Sequence, residues 1–188
     1  VRGSVEDLRR NADKPVAEVG NALDDIESEV DRMRALVDDL LLLARTDSGV
    51  VELAMEPIDL AAIALDAADG LLAPAERAGV RIELDAEPVP TSGDPARLRQ
   101  LVTILVDNAI RHAPAASTVR VGVRATAGIG HIRVEDHGPG FRPEDLPRVF
   151  DRFWRAPDAP SGGTGLGLSI AAWIAERHGG SITATNRP

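Results

Sequence analysis

The chain contains no cysteine, so disulfides, thiolate chemistry and cysteine–zinc sites are all excluded. Aromatic residues make up only 3% of it, with no tyrosine at all, so a core must come from Val, Ile, Leu and Ala. Basic residues are scarce: 21 Lys and Arg face 30 Asp and Glu, and they form no run. A formal net charge of −9 argues against nucleic acid as a partner. No apolar stretch approaches the length of a membrane span, and no signal peptide opens the chain. The four histidines, His112, His131, His137 and His178, are too scattered for an evident metal cluster. What remains suits one ordinary domain plus an appendage within 188 residues.

The appendage is helical. Val16, Val19, Leu23, Ile26, Val30, Met33, Val37, Leu40 and Ala44 recur at alternating spacings of three and four, the pattern of a coiled-coil or bundle seam. Leu36, Leu41 and Leu43 widen the stripe, which favours a bundle. Val16 to Asp47 would extend roughly 48 Å, whereas the helical remnant before Pro15 would reach roughly 18 Å. The seam therefore needs a partner that this stretch does not itself provide.

Gly49 ends the helix, and the pattern changes. Val50–Glu56 predicts a strand, and Ile58–Ala78 a helix capped by Asp59 and open to interruption at Pro74. Val80–Asp85 predicts a second strand and Pro88–Gly93 a loop. Asp94 and Pro95 open a helix that runs to about His112, with Leu101, Leu105 and Ala109 toward the core. Strands over Thr118–Ala125 and Ile129–Glu135 follow, joined around Gly128. The long, proline-rich stretch from His137 to Gly163 suits a binding loop or lid, anchored at Phe150 and Phe153. A helix over Leu166–Arg177 stops at His178-Gly179-Gly180, and Ser181–Thr185 predicts a last strand. Helices with antiparallel strands give an α+β class, a sheet covered by helices.

Three stretches carry the chemistry. Gly162-Gly163-Thr164-Gly165-Leu166-Gly167-Leu168 is a glycine turn that opens a helix, a generic anion site. It is not a Walker loop, because Leu168-Ser169 follows Gly167 with no lysine, and Ile170 breaks the dinucleotide fingerprint. Asn108 and Arg111 share a helix face, an amide suited to magnesium beside a guanidinium suited to phosphate. Glu135-Asp136-His137-Gly138-Pro139-Gly140 ends a strand in an acid and a two-glycine turn, where a carboxylate can accept from the exocyclic amine of a base. Alone, the glycine stretch suits a flexible surface loop equally well, the Asn108 and Arg111 pair a polar helix face, and the acid turn a capped turn.

In this order the stretches resemble the ATP-binding domain of sensor histidine kinases in two-component systems. Asn108 to His112 is similar to the family's N box and Asp136 to Gly140 to its G1 box. Phe150 to Phe153 resembles the F box, and Gly163 to Gly167 the G2 box. Asp38 to Arg45 is similar to the end of the second helix of the dimerisation and phosphotransfer hairpin. The resemblance implies a truncated helical hairpin over residues 1–48, of four-helix-bundle type when dimeric. It implies a Bergerat-type α/β sandwich over 49–188 without its last strand. The implied ligands are ATP and Mg2+, with Asn108 on the metal and Asp136, Gly138 and Gly140 around adenine. Gly163, Thr164, Gly165, Leu166, Gly167 and Leu168 would wrap the phosphates, and Phe150 and Phe153 would flank the site. Arg111 stands for the family's usual lysine and His112 for a common tyrosine, while Arg148, Arg152 and Arg155 are candidate lid contacts.

The implied activity is histidine autophosphorylation and transfer to a response regulator receiver domain. The setting is a homodimer forming the cytoplasmic portion of a membrane-anchored parent. No histidine lies in the hairpin's first helix, so no catalytic residue is assigned here and the phosphoacceptor is expected to be missing. Ile104 sits where many members have a second asparagine. Other Bergerat ATPases need an acidic base one turn before Asn108, where Ile104 stands. A non-catalytic dimerisation module is the other alternative, against which the intact glycine boxes count.

Overall fold

The computed structural model describes Val30, Met33 and residues 52–156 and 164–187. The chain divides into units Val1–Val51 and Glu52–Pro188. The hairpin, its seam and Gly163 lie outside the described residues, except that Val30 and Met33 are helical and about half exposed. Among the described residues no helix is long and apolar enough to cross a membrane.

The second unit runs β1 (Glu56–Asp59), α1 (Leu60–Asp69), α2 (Leu72–Arg77), β2 (Arg81–Ala86), β3 (Pro90–Gly93), α3 (Pro95–His112), β4 (Thr118–Thr126), β5 (Ile129–Glu135), a 3-10 turn (Leu146–Arg148) and α4 (Gly167–Arg177). It is a two-layer arrangement of helices on a sheet, as expected. β4 is the central strand, parallel to β2 and antiparallel to β5, so the sheet is mixed and not purely antiparallel. Val119, Val121 and Val123 alternate along β4 and are wholly buried. Against them α1 packs on α3, and α3 on α4. The buried stripe of α3 is Leu98, Leu101, Val102, Val106, Ala109 and Ile110. That stripe is centred beside the predicted one, since Leu105 stays half-buried while Val102 and Val106 take the core.

Local chemistry sets the boundaries. Asp59 caps α1 by accepting from the Ala61 amide at 3.0 Å, and the same oxygen accepts from Val89 at 2.8 Å. The helical stretch that follows breaks at Gly70-Leu71, not at Pro74, which falls in the first turn of α2 where its missing N–H costs nothing. Ala127 and Gly128 both take positive φ between β4 and β5, as a tight hairpin with right-handed strand twist requires.

Two strand expectations are corrected at the incoming edge. Residues 52–55 are not a strand, and the ladder starts at Glu56. The expected loop at Pro88–Gly93 instead contains β3, paired antiparallel with β1 from Glu56↔Gly93 to Asp59↔Pro90. At the other end Ser181–Thr185 keeps alternating burial but joins neither sheet. Alternation reports a one-sided environment, whereas a strand requires a ladder of hydrogen bonds.

Candidate functional site

The floor of the candidate site is the last third of α3. Above its C-terminal end sits the turn after β5. Asp136 Oδ1 accepts from the Gly138 amide at 2.7 Å, closing an Asx turn. A Cβ on Gly138 would lie 2.7 Å from both that oxygen and the His112 carbonyl, so only glycine lets this turn rest on the helix end. Two turns back along α3, a Cβ on Gly167 would lie 3.3 Å from Ile104 Cγ2. The acid turn and the glycine turn thus both abut α3, either side of Asn108, which is half-buried.

The start of α4 is electrostatically open. Leu166 occupies its N-cap, and its side chain makes no capping hydrogen bond. Free N–H groups at the positive end of a helix favour an anion. Thr164 turns inward, its hydroxyl accepting from the Leu166 amide at 3.2 Å. Leu166 is 1% exposed, buried beneath the turn, while Leu168 is half-buried. Gly165 takes a φ of 71° and accepts from the Phe153 amide at 2.9 Å, which joins the glycine turn to the F-D-R-F stretch.

That stretch is anchored differently from the expectation. Val149, 2% exposed, is the buried residue; Phe150 is half-buried and the Phe153 ring is 65% exposed. Phe153 itself takes a φ of 63°, uncommon for a non-glycine residue. Its backbone is therefore committed to the Gly165 contact while its ring faces outward. Residues 157–163, the middle of the expected lid, lie outside the described residues.

The basic residues are distributed unevenly. Arg111 is ion-paired with Asp107 at 2.7 Å on an exposed helix face, one turn apart, so a ligand would have to compete for it. Arg148 lies 3.5 Å from Asp151, both exposed. Arg152 and Arg155 are both exposed on the stretch beyond. No group of three His, Asp or Glu among the described residues is placed to hold a metal.

Two supporting features were not read from the sequence. The Asn186 amide pairs with the Phe141 backbone in both directions, accepting at 2.8 Å and donating at 2.7 Å, just after Gly140 at φ 69°. Phe141 also meets Trp154, ring centroids 6.3 Å apart, which links the acid turn to the F-D-R-F stretch. Asn186 lies 45 residues from Phe141, and no local pattern announces such a pairing.

Residues 93–188 match the family described as histidine kinase-, DNA gyrase B- and HSP90-like ATPases. The chain is 38% identical over its whole length to the probable sensor histidine kinase TcrY of Mycobacterium tuberculosis, of which it covers 40%. It is 39% identical to the sensor histidine kinase TrcS of the same organism, over 98% of this chain and 37% of that one. The chain thus spans about two fifths of the length of these relatives. Among solved structures, ShkA in complex with AMPPNP superposes with a TM-score of 0.75 at 28% identity, over 93% of this chain and 37% of that one. The chain belongs to the histidine kinase-, gyrase B- and HSP90-like ATPase family, and its ATP-binding domain is of the sensor histidine kinase type.

Proposed function

We propose that this chain is the kinase core of a two-component sensor, binding Mg-ATP for histidine autophosphorylation and transfer to a response regulator receiver domain. One observation carries the reading: the Asp136 turn and the Gly165–Gly167 turn both rest on α3, at His112 and Ile104, with Asn108 between them. In this reading the Asp136 carboxylate accepts from the adenine amine. The uncapped start of α4, with Thr164 to Leu168 and Gly163, holds the phosphates. Asn108 supplies an amide oxygen to magnesium, whose role is to neutralise phosphate charge. Gly138 and Gly140 admit the base, Phe150 and Phe153 border the site, and Arg111 and His112 close its far end. The protein's part in phosphoryl transfer is positioning and charge, not covalent chemistry.

Ile104 weighs against a hydrolytic relative of the gyrase or chaperone kind, since it packs under Gly167 where an acidic base would be needed. The hairpin of residues 1–48 is proposed to form the homodimer contact, supported by the exposure of helical Val30 and Met33. The parent is proposed to be a membrane-anchored sensor with this part in the cytoplasm, as the kinship with sensor kinases suggests.

None of the four histidines is proposed as the phosphoacceptor. Incubation with labelled Mg-ATP should therefore leave no acid-labile phosphate on the chain. Phosphohistidine at His112, His131, His137 or His178 would overturn that assignment.

A further inference from the structure

Asp94 stands at the junction of three parts of the fold. Its Oδ1 accepts from the Arg97 amide at 3.0 Å, capping α3, and its Oδ2 accepts from the Ala54 amide at 3.0 Å. Ala54 belongs to the segment by which the chain enters this unit, 40 residues earlier. The backbone amide of Asp94 points a third way, donating to His178 Nε2 at 3.0 Å. His178 ends α4, and its Nδ1 lies 2.8 Å from the Ile174 carbonyl. A ring nitrogen facing an N–H must accept and one facing a carbonyl must donate, so these partners select the neutral Nδ1–H tautomer.

The joint is built to close tolerance. Asp94 is 7% exposed, and among the described residues its charge is answered by backbone amides and the Arg97 guanidinium. Burial pushes its carboxyl pKa up, but the amides of Arg97, Ala54 and Ala96 outweigh this and hold it below the usual carboxylate range. A Cβ on Gly93 would collide with Leu98 and crowd Ile58 and His178, so Leu98, Ile58 and the imidazole all close on the space the glycine leaves.

The helices joined here are the two that carry the nucleotide stretches, each at its opposite end. α3 starts at the joint and ends at Asn108–His112; α4 ends at the joint and starts at Gly167. They touch again where Gly167 meets Ile104. Two contacts along a pair of rods fix their relative angle, so a displacement at Ala54 must either break the joint or shift the glycine turn against α3.

From this we infer that Asp94 and His178 are positioning residues that couple the incoming segment at Ala54 to the nucleotide site, so that anchoring of that segment and nucleotide binding reinforce each other. The ligand in this statement rests on the proposed function, but the joint itself does not. Coupling between two binding events is reciprocal: what Ala54 does for the ligand, the ligand must do for Ala54.

Hydrogen exchange at the Ala54 amide, measured on the whole chain with and without Mg-ATP, tests it. Without nucleotide, His178→Ala should speed exchange at Ala54 about tenfold, the effect of losing one hydrogen bond from the joint. His178→Gln, which can offer an acceptor to the Asp94 amide, should restore most of the protection. Mg-ATP should slow Ala54 exchange in the parent and leave it unchanged in His178→Ala, whose affinity should fall severalfold. A purely structural histidine would give equal slowing in both proteins, and that result overturns the coupling. Unchanged exchange in nucleotide-free His178→Ala overturns the joint. If that variant does not fold, Asp94→Asn, which leaves one oxygen for two amides, replaces it with the same expectations. A parent that binds no Mg-ATP refutes the nucleotide reading and the coupling together, while the nucleotide-free comparison still decides the joint.

Discussion

Asp136→Asn should weaken Mg-ATP binding by about ten- to a hundredfold while leaving the fold intact, the effect of losing a charge-assisted hydrogen bond worth roughly 1.5–3 kcal/mol. The geometry says how. Oδ1 is already held by the Gly138 amide at 2.7 Å, so in the asparagine variant the carbonyl oxygen stays there. The new NH2 then occupies the position of Oδ2 and meets the adenine amine donor to donor. The same NH2 suits the carbonyl of guanine, so the ratio of ATP to GTP affinity should fall further than ATP affinity alone explains. Isothermal titration of the two nucleotides into parent and variant measures both effects. Unaltered ATP affinity would remove Asp136 from the adenine site.

Gly165→Ala is expected to be the most damaging single methyl in the described part of the site. At φ 71° an alanine is already strained by about 1 kcal/mol. Its Cβ would in addition lie 2.6 Å from Phe153 C and 2.7 Å from Trp154 O, which are backbone atoms that cannot swing aside. Relief requires giving up the 2.9 Å bond from the Phe153 amide to Gly165 O, and with it the link between the glycine turn and the F-D-R-F stretch. A loss of about 2–3 kcal/mol should lower Tm by roughly 5–10 °C. Gly128→Ala is the matched control. Its φ of 80° carries the same conformational strain, but nothing lies within 4 Å of the added methyl. Thermal melts that rank the two variants equal would show that the Phe153–Gly165 contact contributes nothing.

Much of this was legible because it is local. Asp59 and Asp94 were read as caps from an acid before an apolar-periodic run, and both accept amides as caps do. The paired strands around Gly128 declared themselves by alternation and a turn residue. The acid turn and the glycine turn were legible only together, from their order along the chain, since each alone suits an ordinary turn or loop equally well. Less legible were features that depend on distant partners. β1 and β3 are four residues each, contain proline or glycine, and exist only because they pair with one another. Ser181–Thr185 has the alternation of a strand and no ladder. Phe153 was expected to be an anchor because it is aromatic, yet its positive φ turns the ring outward and Val149 takes the buried place. Asp94 was read as a cap, and nothing nearby in sequence signalled its bonds to Ala54 and His178, 40 and 84 residues away.

The chain's membership of the ATPase family makes nucleotide binding the central claim, and equilibrium dialysis against labelled ATP tests it most directly. With magnesium present, the chain should retain one ATP per protomer, and chelating the metal or substituting Asp136→Asn should release most of it. Equal retention with and without magnesium and in the variant, or no retention in the parent, would contradict the assignment of Asn108, Asp136 and the turn before α4 as one site.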